Sequence, residues 1–331
     1  MSAIKQPTTD GETLEQLKSI LIKSRQELKS SPPAIANALN LYNRYGEESP
    51  MRESLTTDEI KATQLDELLS LPSDLLDYEH TLAYTGSMPL EQLVEVLRRH
   101  HPLAGDLKQT PAYRFRTVRE ISANEVYVVD QQTAQAQVRI EFADGEYNAN
   151  DRVPASVYTS YFGSGMSSVV FQELREARAL AYSASARYGQ GSRLKDQNLM
   201  LGAIGTQTEK TVDALDAFID LIDNMPGSEE RFDETVTALL NRYRTSKPSF
   251  REVIGAVRGW EKLGLEGDPR ADSYARLQEL EFADLVDFQR EHVKDRAKLI
   301  SIVGDLSIID QAELERFGSV KQIAIDDLFV E

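Results

Sequence analysis

Two stretches of the chain repeat the same order of elements, and no other feature constrains its fold as much. Residues 80–97 (HTLAYTGSMPLEQLVEVL) and residues 298–314 (KLISIVGDLSIIDQAEL) each run from a short apolar strand through a glycine into a helix. The two glycines, Gly86 and Gly304, are 218 residues apart (304 minus 86). The sequence therefore predicts a duplicated unit of about 215–220 residues, a longer period than solenoid repeats have.

The second copy is complete and the first is not. Helix breaks at Pro32 and Pro248 lie at nearly the same offset as the glycines. Residues 106–331 then form a whole unit, whereas residues 1–105 form only the helical back half of a preceding unit. A closing strand at 80–84 would lack sheet partners, which leaves its backbone groups unpaired. This pattern predicts an α+β fold in which an antiparallel sheet packs against helices, with the first copy of the duplicated unit truncated.

Periodicity and capping signals place the individual elements. Apolar residues recur with helical spacing in residues 12–30, and residues 136–142 alternate as in a half-buried strand. Gly46 is expected to cap the end of the helix at 34–45. Thr56-x-x-Glu59 is a capping box that opens a helix running to about residue 71. Further helices are predicted at 34–45, 89–99, 151–162, 167–178 and 209–224 and then to 294, with strands at 125–130, 181–188, 199–204, 299–303 and 322–325 and a linker at 102–112.

Composition excludes several classes of site and partner. The chain has no cysteine, which rules out disulfides, thiolate zinc sites and cysteine nucleophiles. Its net charge is −17, whereas nucleic-acid binders present basic faces to phosphates. No apolar run is long enough for a membrane span, and residues 1–11 are too polar for a secretory signal. We therefore expect a soluble chain of unknown localisation, with neither nucleic acid nor membrane as a partner.

The most distinctive segment is YFGSGMSSVVFQELREARALAYSASARYGQG, residues 161–191. Its aromatic-Gly-x-Gly turn at 162–165 lets the chain reverse sharply. Ser167 or Ser168 can cap the helix that follows. The apolar face of that helix carries Val170, Phe171 and Leu174.

Arg175 and Tyr182 bring a guanidinium and a phenol to the junction between this helix and the next strand. Both can point into one cleft from there. The alternative from spacing alone is structural: Arg175 pairs with Glu173 or Glu176, and Tyr182 is a half-buried strand aromatic.

This segment resembles the insulinase/pitrilysin family of zinc peptidases, the inverzincins. The family pattern, aromatic-Gly-x-Gly and then Leu-Arg-x(5)-Ala/Gly-Tyr, reads here as Phe162-Gly-Ser-Gly165 and as Leu174-Arg175 through Ala181-Tyr182. The closing strand-Gly-helix segments and the repeat length are also similar to the family's. The resemblance implies four such units in two bowl-like halves that enclose a chamber. This chain then corresponds to the last one and a half units of the carboxyl half.

The resemblance also implies roles for the two residues. Tyr182 hydrogen-bonds the scissile carbonyl and helps stabilise the developing oxyanion, while Arg175 binds substrate carbonyls or steadies the tyrosine. Both groups are donors that can be aimed in advance at negative charge. We therefore expect Arg175 and Tyr182 to bind substrate, with no catalytic residue in this chain alone.

The family's zinc motif, H-x-x-E-H, is absent. The segments LDYEH and FQREH end at His80 and His292, but each lacks the first histidine. The neighbours His100 and His101 point in different directions on a helix, which is typical of a solvated helix end. We expect no metal or cofactor in this segment, zinc in the missing N-terminal half, and no peptidase activity from this chain alone.

Three functions remain open at this point. The leading one is the non-catalytic, substrate-enclosing C-terminal half of a zinc metallopeptidase that hydrolyses peptides. Its partners are a peptide substrate and an N-terminal zinc-bearing half, in the same chain or in a separate subunit. The rival is an inactive scaffold or partner-binding subunit of the same fold. A third is an unrelated α+β enzyme, which predicts a pocket with perturbed acids away from Arg175 and Tyr182.

Overall fold

The computed structural model of the chain describes residues 7–101 and 105–330. The beginning of the polar N-terminal segment, the first residues of the predicted linker (102–104) and residue 331 lie outside the described residues. The helices are α1 (Gly11–Ser30), α2 (Pro32–Tyr45), α3 (Thr57–Ala62), α4 (Leu65–Asp74), α5 (Leu90–His100), α6 (Arg152–Tyr158), α7 (Thr211–Asp223), α8 (Glu229–Thr245), α9 (Val253–Lys262), α10 (Arg270–Glu279), α11 (Phe282–His292) and α12 (Gln311–Leu314). The strands are β1 (Glu125–Asp130), β2 (Gln135–Glu146), β3 (Ser183–Gly189), β4 (Gln197–Gln207), β5 (Leu299–Gly304) and β6 (Ser319–Gln322).

One six-stranded sheet, in the order β3-β4-β2-β5-β1-β6, forms the centre of the fold. The pairs β3–β4, β4–β2 and β2–β5 are antiparallel, whereas β1 runs parallel to β5 and β6. Parallel pairing needs long crossover connections, and the chain supplies them between β1 and β5 and, through α12, between β5 and β6. The predicted α+β class with a sheet packed against helices is confirmed, with the refinement that the sheet is mixed on its β1 side.

One face of the sheet carries the main core. Val138 and Ile140 of β2 point to this face and are at most 1% exposed. Phe218 of α7 packs directly on Gly202 of β4, where a Cβ atom would lie 2.6 Å from the ring. Alternation along β2 therefore places one set of side chains in this core, as the sequence pattern predicts.

Helix α2 covers the opposite face of the sheet, over β1 and β5. Four of its apolar residues are fully buried and form a second cluster with Tyr127, Val129 and Val303. These α2 residues are Ile35, Ala36, Ala38 and Leu39. The sheet is thus buried on both faces along its β1 and β5 side.

Polar contacts fix α2 on this face. Asn43 donates its amide to the carbonyl oxygen of Ile300, at 3.1 Å. Arg44 binds the buried carboxylate of Glu141 through two nitrogens, and Asn40 donates to the same carboxylate at 2.8 Å. A buried carboxylate is tolerated only when it is paired and hydrogen-bonded in this way.

The capping signals of the first helices are confirmed. Gly46 has φ +60° and ends α2, because glycine adopts this conformation without steric cost. Thr56 and Glu59 form the predicted capping box at the start of α3. The helix they open ends at Ala62, however, and α4 begins after a two-residue break.

The prediction of a strand at residues 80–84 is wrong. This segment has no regular secondary structure, and Leu82 and Tyr84 are exposed. A strand needs a hydrogen-bonded neighbour, and the six strands of the sheet all come from later in the chain. The division at residues 105 and 106 stays a prediction. No helix within the described ranges is long and apolar enough to cross a membrane.

Candidate functional site

The aromatic-Gly-x-Gly turn lies at the end of α6, against β3. Phe162 is fully buried and stacks on Tyr158, with ring centroids 5.2 Å apart. A Cβ atom on Gly163 would overlap the backbone of Ala186, so only glycine fits there. Gly165 has φ +90°, in the region that glycine favours. The turn thus forms where the sequence places it, packed on the strand that follows Tyr182.

The helix after the turn is π-helical over Phe171–Ala177. Ser168, one of the two predicted caps, is buried and donates its hydroxyl to the Gly165 carbonyl oxygen at 2.8 Å. Leu174 is fully buried, while the next residue, Arg175, is exposed. Because π-helical turns are rare and recur at functional sites, this segment is a candidate site on backbone geometry as well as on sequence.

The guanidinium of Arg175 lies on the surface, with 47% of its side chain exposed. Its Nε lies 3.7 Å from a carboxylate oxygen of Glu176, and its carbon lies 4.8 Å from the ring centroid of Phe171. An exposed pair of this kind contributes at most about 1 kcal/mol. Glu173 instead faces Arg178, at 3.8 Å. Arg175 therefore has a weak local partner that a ligand's carbonyl or carboxylate can replace.

Ala179 joins the π-helix to β3 with φ +49°. This left-handed conformation costs a residue with a Cβ roughly 1–2 kcal/mol. Two hydrogen bonds hold the junction: Leu180 N–H donates to the Leu174 carbonyl at 2.8 Å, and the Lys210 ammonium donates to the Ala179 carbonyl at 3.2 Å. Strained backbone of this type clusters at active and ligand-binding sites.

Tyr182 immediately precedes β3 and is 53% exposed. Its backbone N–H donates to the Gly205 carbonyl at 2.8 Å, which ties it to β4. Its phenol oxygen accepts a hydrogen bond from the side-chain amide of Gln207, at 3.1 Å. Since the oxygen is the acceptor in this bond, the phenol hydrogen is available to donate.

Arg175 lies near the end of the π-helix, and Tyr182 directly precedes β3. The two residues therefore flank the short junction between these elements. Both are about half exposed. Both side chains are exposed to solvent in this chain, so a closed cleft around them would require contact with another surface. The geometry suits a surface that is completed by a partner.

A groove of about 560 Å³ borders the turn on the face of the sheet that α2 covers. Arg139 of β2 and Arg187 of β3 line it, together with Gly163 and Gly165. Burial lowers the pKa of the Arg139 guanidinium, which donates to the Val138 carbonyl oxygen at 2.9 Å. The groove thus presents positive charge beside the turn, in a chain with a net charge of −17.

Sequence analysis misses a buried polar network around Asp144. One carboxylate oxygen accepts from the Tyr188 phenol at 2.5 Å and lies 2.7 Å from His292 Nδ1. The other oxygen accepts from Arg296 at 2.9 Å. Burial, and then the hydrogen bond to Asp144, raise the pKa of the Tyr188 phenol. These residues come from separate elements, so no local motif reveals them.

Two of the four histidines, His80 and His101, are in contact. His100 is exposed, but the prediction of a solvated helix end is wrong for His101, which is 8% exposed. The end of α5 lies against the earlier residue His80, so that His80 Nε2 lies 2.6 Å from His101 Nε2. Across residues 7–101 and 105–330, no group of three or more His, Asp or Glu side chains is placed to hold a metal ion. The described residues therefore do not fit a zinc site.

Comparison with known proteins gives the same family as the motif. Residues 80–239 match a family described as the peptidase M16 inactive domain. The matched range includes the turn, Arg175 and Tyr182. An uncharacterized zinc protease of Streptomyces coelicolor is 26% identical over 246 residues, which is 72% of this chain and 49% of that protein. The chain thus spans about half the length of this curated relative.

Solved structures share the fold. The peptidase M16 inactive domain from Pseudomonas fluorescens superposes with a TM-score of 0.69 at 15% identity, covering 93% of this chain and 73% of that one. The ferredoxin protease FusC, in complex with Arabidopsis ferredoxin, gives a TM-score of 0.65 at 13% identity over 90% of this chain and 32% of that one. At these identities the likeness shows the fold alone. The family match over residues 80–239 makes the chain similar to the inactive domain of M16 peptidases.

Proposed function

We propose that the chain is the substrate-enclosing part of a zinc metallopeptidase that hydrolyses peptides in a closed chamber. The match of residues 80–239 to a family described as an inactive domain supports a role without catalytic metal. The zinc belongs, on this proposal, to an N-terminal half in the same chain or in a separate subunit. The chain alone then has no peptidase activity.

The placement of Tyr182 carries the proposal. Its phenol oxygen accepts from Gln207, which leaves the phenol hydrogen free to be donated, and the residue is about half exposed. A phenol held in this way donates to a substrate carbonyl oxygen as negative charge develops on it. Preorganised donors of this kind contribute about 10²–10³-fold to kcat, because they need no reorganisation during the reaction.

Arg175 supplies the second donor. Its guanidinium exchanges the weak contact with Glu176 for a backbone carbonyl of the bound peptide. Closure of the partner over this surface excludes water, and both interactions then strengthen in the lower dielectric. Arg175 and Tyr182 therefore bind and orient the peptide, while bond cleavage takes place on the partner.

The test of this proposal is a reconstituted enzyme. The chain is mixed with a polypeptide that carries the H-x-x-E-H unit of this family, and cleavage of a fluorogenic peptide is followed. Tyr182→Phe is expected to lower kcat by about 10²-fold with little change in KM. Tyr113→Phe is the matched control, because Tyr113 is also 53% exposed.

A second pair of variants tests whether Arg175 itself contributes to turnover. Arg175→Ala should weaken turnover, whereas Arg178→Ala, which removes an exposed arginine three residues away, should not. Unchanged turnover in Tyr182→Phe would contradict the role given to the phenol.

The alternative is an inactive scaffold or partner-binding subunit. The observation in its favour is that Arg175 already contacts Glu176 and Phe171 as an ordinary surface residue does. A complex that forms stably with the zinc-bearing polypeptide but cleaves no peptide supports this reading.

A further inference from the structure

The sheet face that α2 covers extends beyond that helix. Helix α2 packs over β1 and β5, whereas β4 and β3 lie further along the sheet. Alternation along β3 puts Ala186 and Tyr188 in the main core on the other face. Ser183, Ser185 and Arg187 then point to the α2 face, and all three are exposed. The β3 side of this face is therefore accessible to a ligand.

The phenol of Tyr182 reaches the same face. Gly202 of β4 packs against Phe218 in the main core, so alternation points Gln207 to the opposite face. The Gln207 amide donates to the Tyr182 phenol oxygen at 3.1 Å. The phenol and the exposed side chains of β3 can therefore contact one ligand that lies on this face.

Arg139 lies in the groove on this face without a counter-ion. It is partly buried, and one guanidinium nitrogen donates to the Val138 carbonyl oxygen at 2.9 Å. Among the described residues, no carboxylate pairs with Arg139, and its other guanidinium N–H groups have no hydrogen-bond partner. Buried charges in proteins are normally paired, so this guanidinium is placed to receive an anion.

Arg187 brings a second guanidinium to the groove, and no described side chain pairs with it. Arg139 is opposite Ala203 of β4, which is opposite Ser185 of β3. Arg139 and Arg187 are thus two strands and two residues apart, with about 12 Å between their Cα atoms. Their long side chains can meet on one carboxylate above the small Ala203.

The acid beside Arg139 does not cancel this charge. Glu141 lies two residues further along β2 and points the same way, but it is fully buried and pairs with Arg44. Asn40 donates to the same carboxylate at 2.8 Å. In a chain with a net charge of −17, the groove thus keeps two positive charges that no ion pair compensates. Such a local field favours an anionic ligand.

We infer that this groove binds a carboxylate of the peptide substrate between Arg139 and Arg187, so that acidic peptides are preferred. The inference rests on the proposed function in taking a peptide as the ligand. Guanidinium groups suit this role, because they bind a carboxylate through two parallel hydrogen bonds. The carboxylate belongs to an Asp or Glu side chain or to the peptide C-terminus.

Strand β3 sets the distance between this carboxylate and the bond that Tyr182 contacts. Ser185 and Arg187 are three and five residues beyond Tyr182, and a strand rises about 3.3 Å per residue. The carboxylate thus lies about 10–17 Å from Tyr182 along the strand. An extended peptide has a similar rise per residue, so the carboxylate is expected about three to five residues from the scissile bond.

Binding of short peptides to the chain alone tests the groove without catalysis. Three acetylated peptides of otherwise uncharged sequence are titrated by calorimetry: one with a Glu and an amidated C-terminus, one with Gln in its place, and one with Gln and a free C-terminus. A carboxylate should tighten binding at least about tenfold over the amidated Gln peptide. The Glu peptide binds more tightly if the source is a side chain, and the free C-terminus does so if the source is the terminus. Equal binding of all three peptides overturns the inference.

Two variants test the arginines separately. Arg139→Gln and Arg187→Glu should each remove most of the preference for a carboxylate. Because Arg187 is exposed, its replacement leaves the core intact, and circular dichroism checks the folding of both variants. Arg258→Glu, the same charge change at an exposed position of α9, is the matched control and should keep the preference. A preference that survives either replacement in the groove overturns the two-arginine site.

Cleavage by the reconstituted enzyme tests the distance. A Glu is moved one residue at a time along a fluorogenic peptide, on either side of the bond that is cleaved. We expect the highest kcat/KM with the Glu about three to five residues from that bond, and Arg187→Glu should abolish this maximum. A profile without a maximum overturns the distance. Carboxylate-dependent binding without cleavage supports the groove and counts against the proposed function, whereas cleavage without carboxylate-dependent binding does the reverse.

Discussion

Ala179 holds a backbone conformation that its side chain disfavours, at the point where the π-helix turns into β3. Arg175 and Tyr182 lie on either side of it. Their relative placement therefore depends on this one residue as much as on the elements that carry them. The surrounding hydrogen bonds from Leu180 and Lys210 keep the junction in place.

Replacing Ala179 by glycine should raise the free energy of unfolding by up to about 1 kcal/mol. Glycine removes the left-handed penalty of roughly 1–2 kcal/mol, and its own entropic cost of about 0.5–1 kcal/mol offsets part of the gain. Urea unfolding followed by circular dichroism measures the change. Ala177→Gly, inside the π-helix, is the control and should lower stability. Equal destabilisation by both variants would show that Ala179 is not strained.

At the scale of elements, the attachment of α2 to β2 depends on a buried ion pair. Glu141 is fully buried and receives hydrogen bonds from Arg44 and Asn40. Such a pair adds little net stability over a well-packed apolar pair. It does fix the rotation of α2 about its own axis, because Arg44 and Asn40 must both face Glu141.

Glu141→Ala should lower the free energy of unfolding by about 3–5 kcal/mol, because it leaves the Arg44 guanidinium buried without its partner. The double variant Arg44→Met with Glu141→Leu should lose much less, since it leaves no charge behind. Urea denaturation measures the free energy of unfolding of both variants. A double variant as unstable as Glu141→Ala would mean that packing, rather than charge, holds α2.

Elements whose signals are local could be predicted from the sequence. Helices α1 and α2 and strand β2 follow from the spacing of their own residues. Gly46 ends α2 and Thr56 caps α3 as expected. The failed strand at 80–84 had the right composition, but strand formation depends on a neighbour that the segment does not have. The π-helical hydrogen bonding of Phe171–Ala177 leaves no mark in the sequence that separates it from an α-helix.

For the candidate site, too, the sequence identifies residues of one continuous segment but not those that the tertiary fold brings to it. The motif identified Arg175 and Tyr182, because both lie in one continuous segment. The roles of Gln207 and Lys210 depend on the pairing of β3 with β4. The network of Asp144, Tyr188 and His292 joins residues up to 148 apart in sequence. Such contacts follow only from the tertiary fold.

At the scale of the whole molecule, one sheet separates two apolar clusters. The main core lies on one face, and the smaller cluster around α2 lies on the other. The smaller cluster joins the beginning of the chain to its end, since Leu39 of α2 and Leu328 both belong to it. The predicted second unit therefore relies on a helix from the predicted first unit to cover its sheet.

A chain of residues 106–331 should fold with one apolar face uncovered. Loss of α2 exposes Tyr127, Val129 and Val303, and exposed patches of this kind bind hydrophobic dyes and promote association. We expect strand and helix signals in circular dichroism, together with increased binding of 1-anilinonaphthalene-8-sulfonate and self-association in sedimentation. The full chain is the control. A shorter chain that stays monomeric and binds no more dye would show that α2 is dispensable.

Strand β3 lies at the outer edge of the sheet, so one row of its backbone N–H and C=O groups faces away from β4. Such an edge is a template on which another chain can add a strand, and proteins guard it with charge and short length. β3 has seven residues, mostly small, with exposed Arg187 near its middle. The segment before the aromatic-Gly-x-Gly turn covers part of this edge, since Tyr188 N–H donates to the Thr159 hydroxyl at 3.0 Å. Short length, charge and this cover together guard the edge against an added strand.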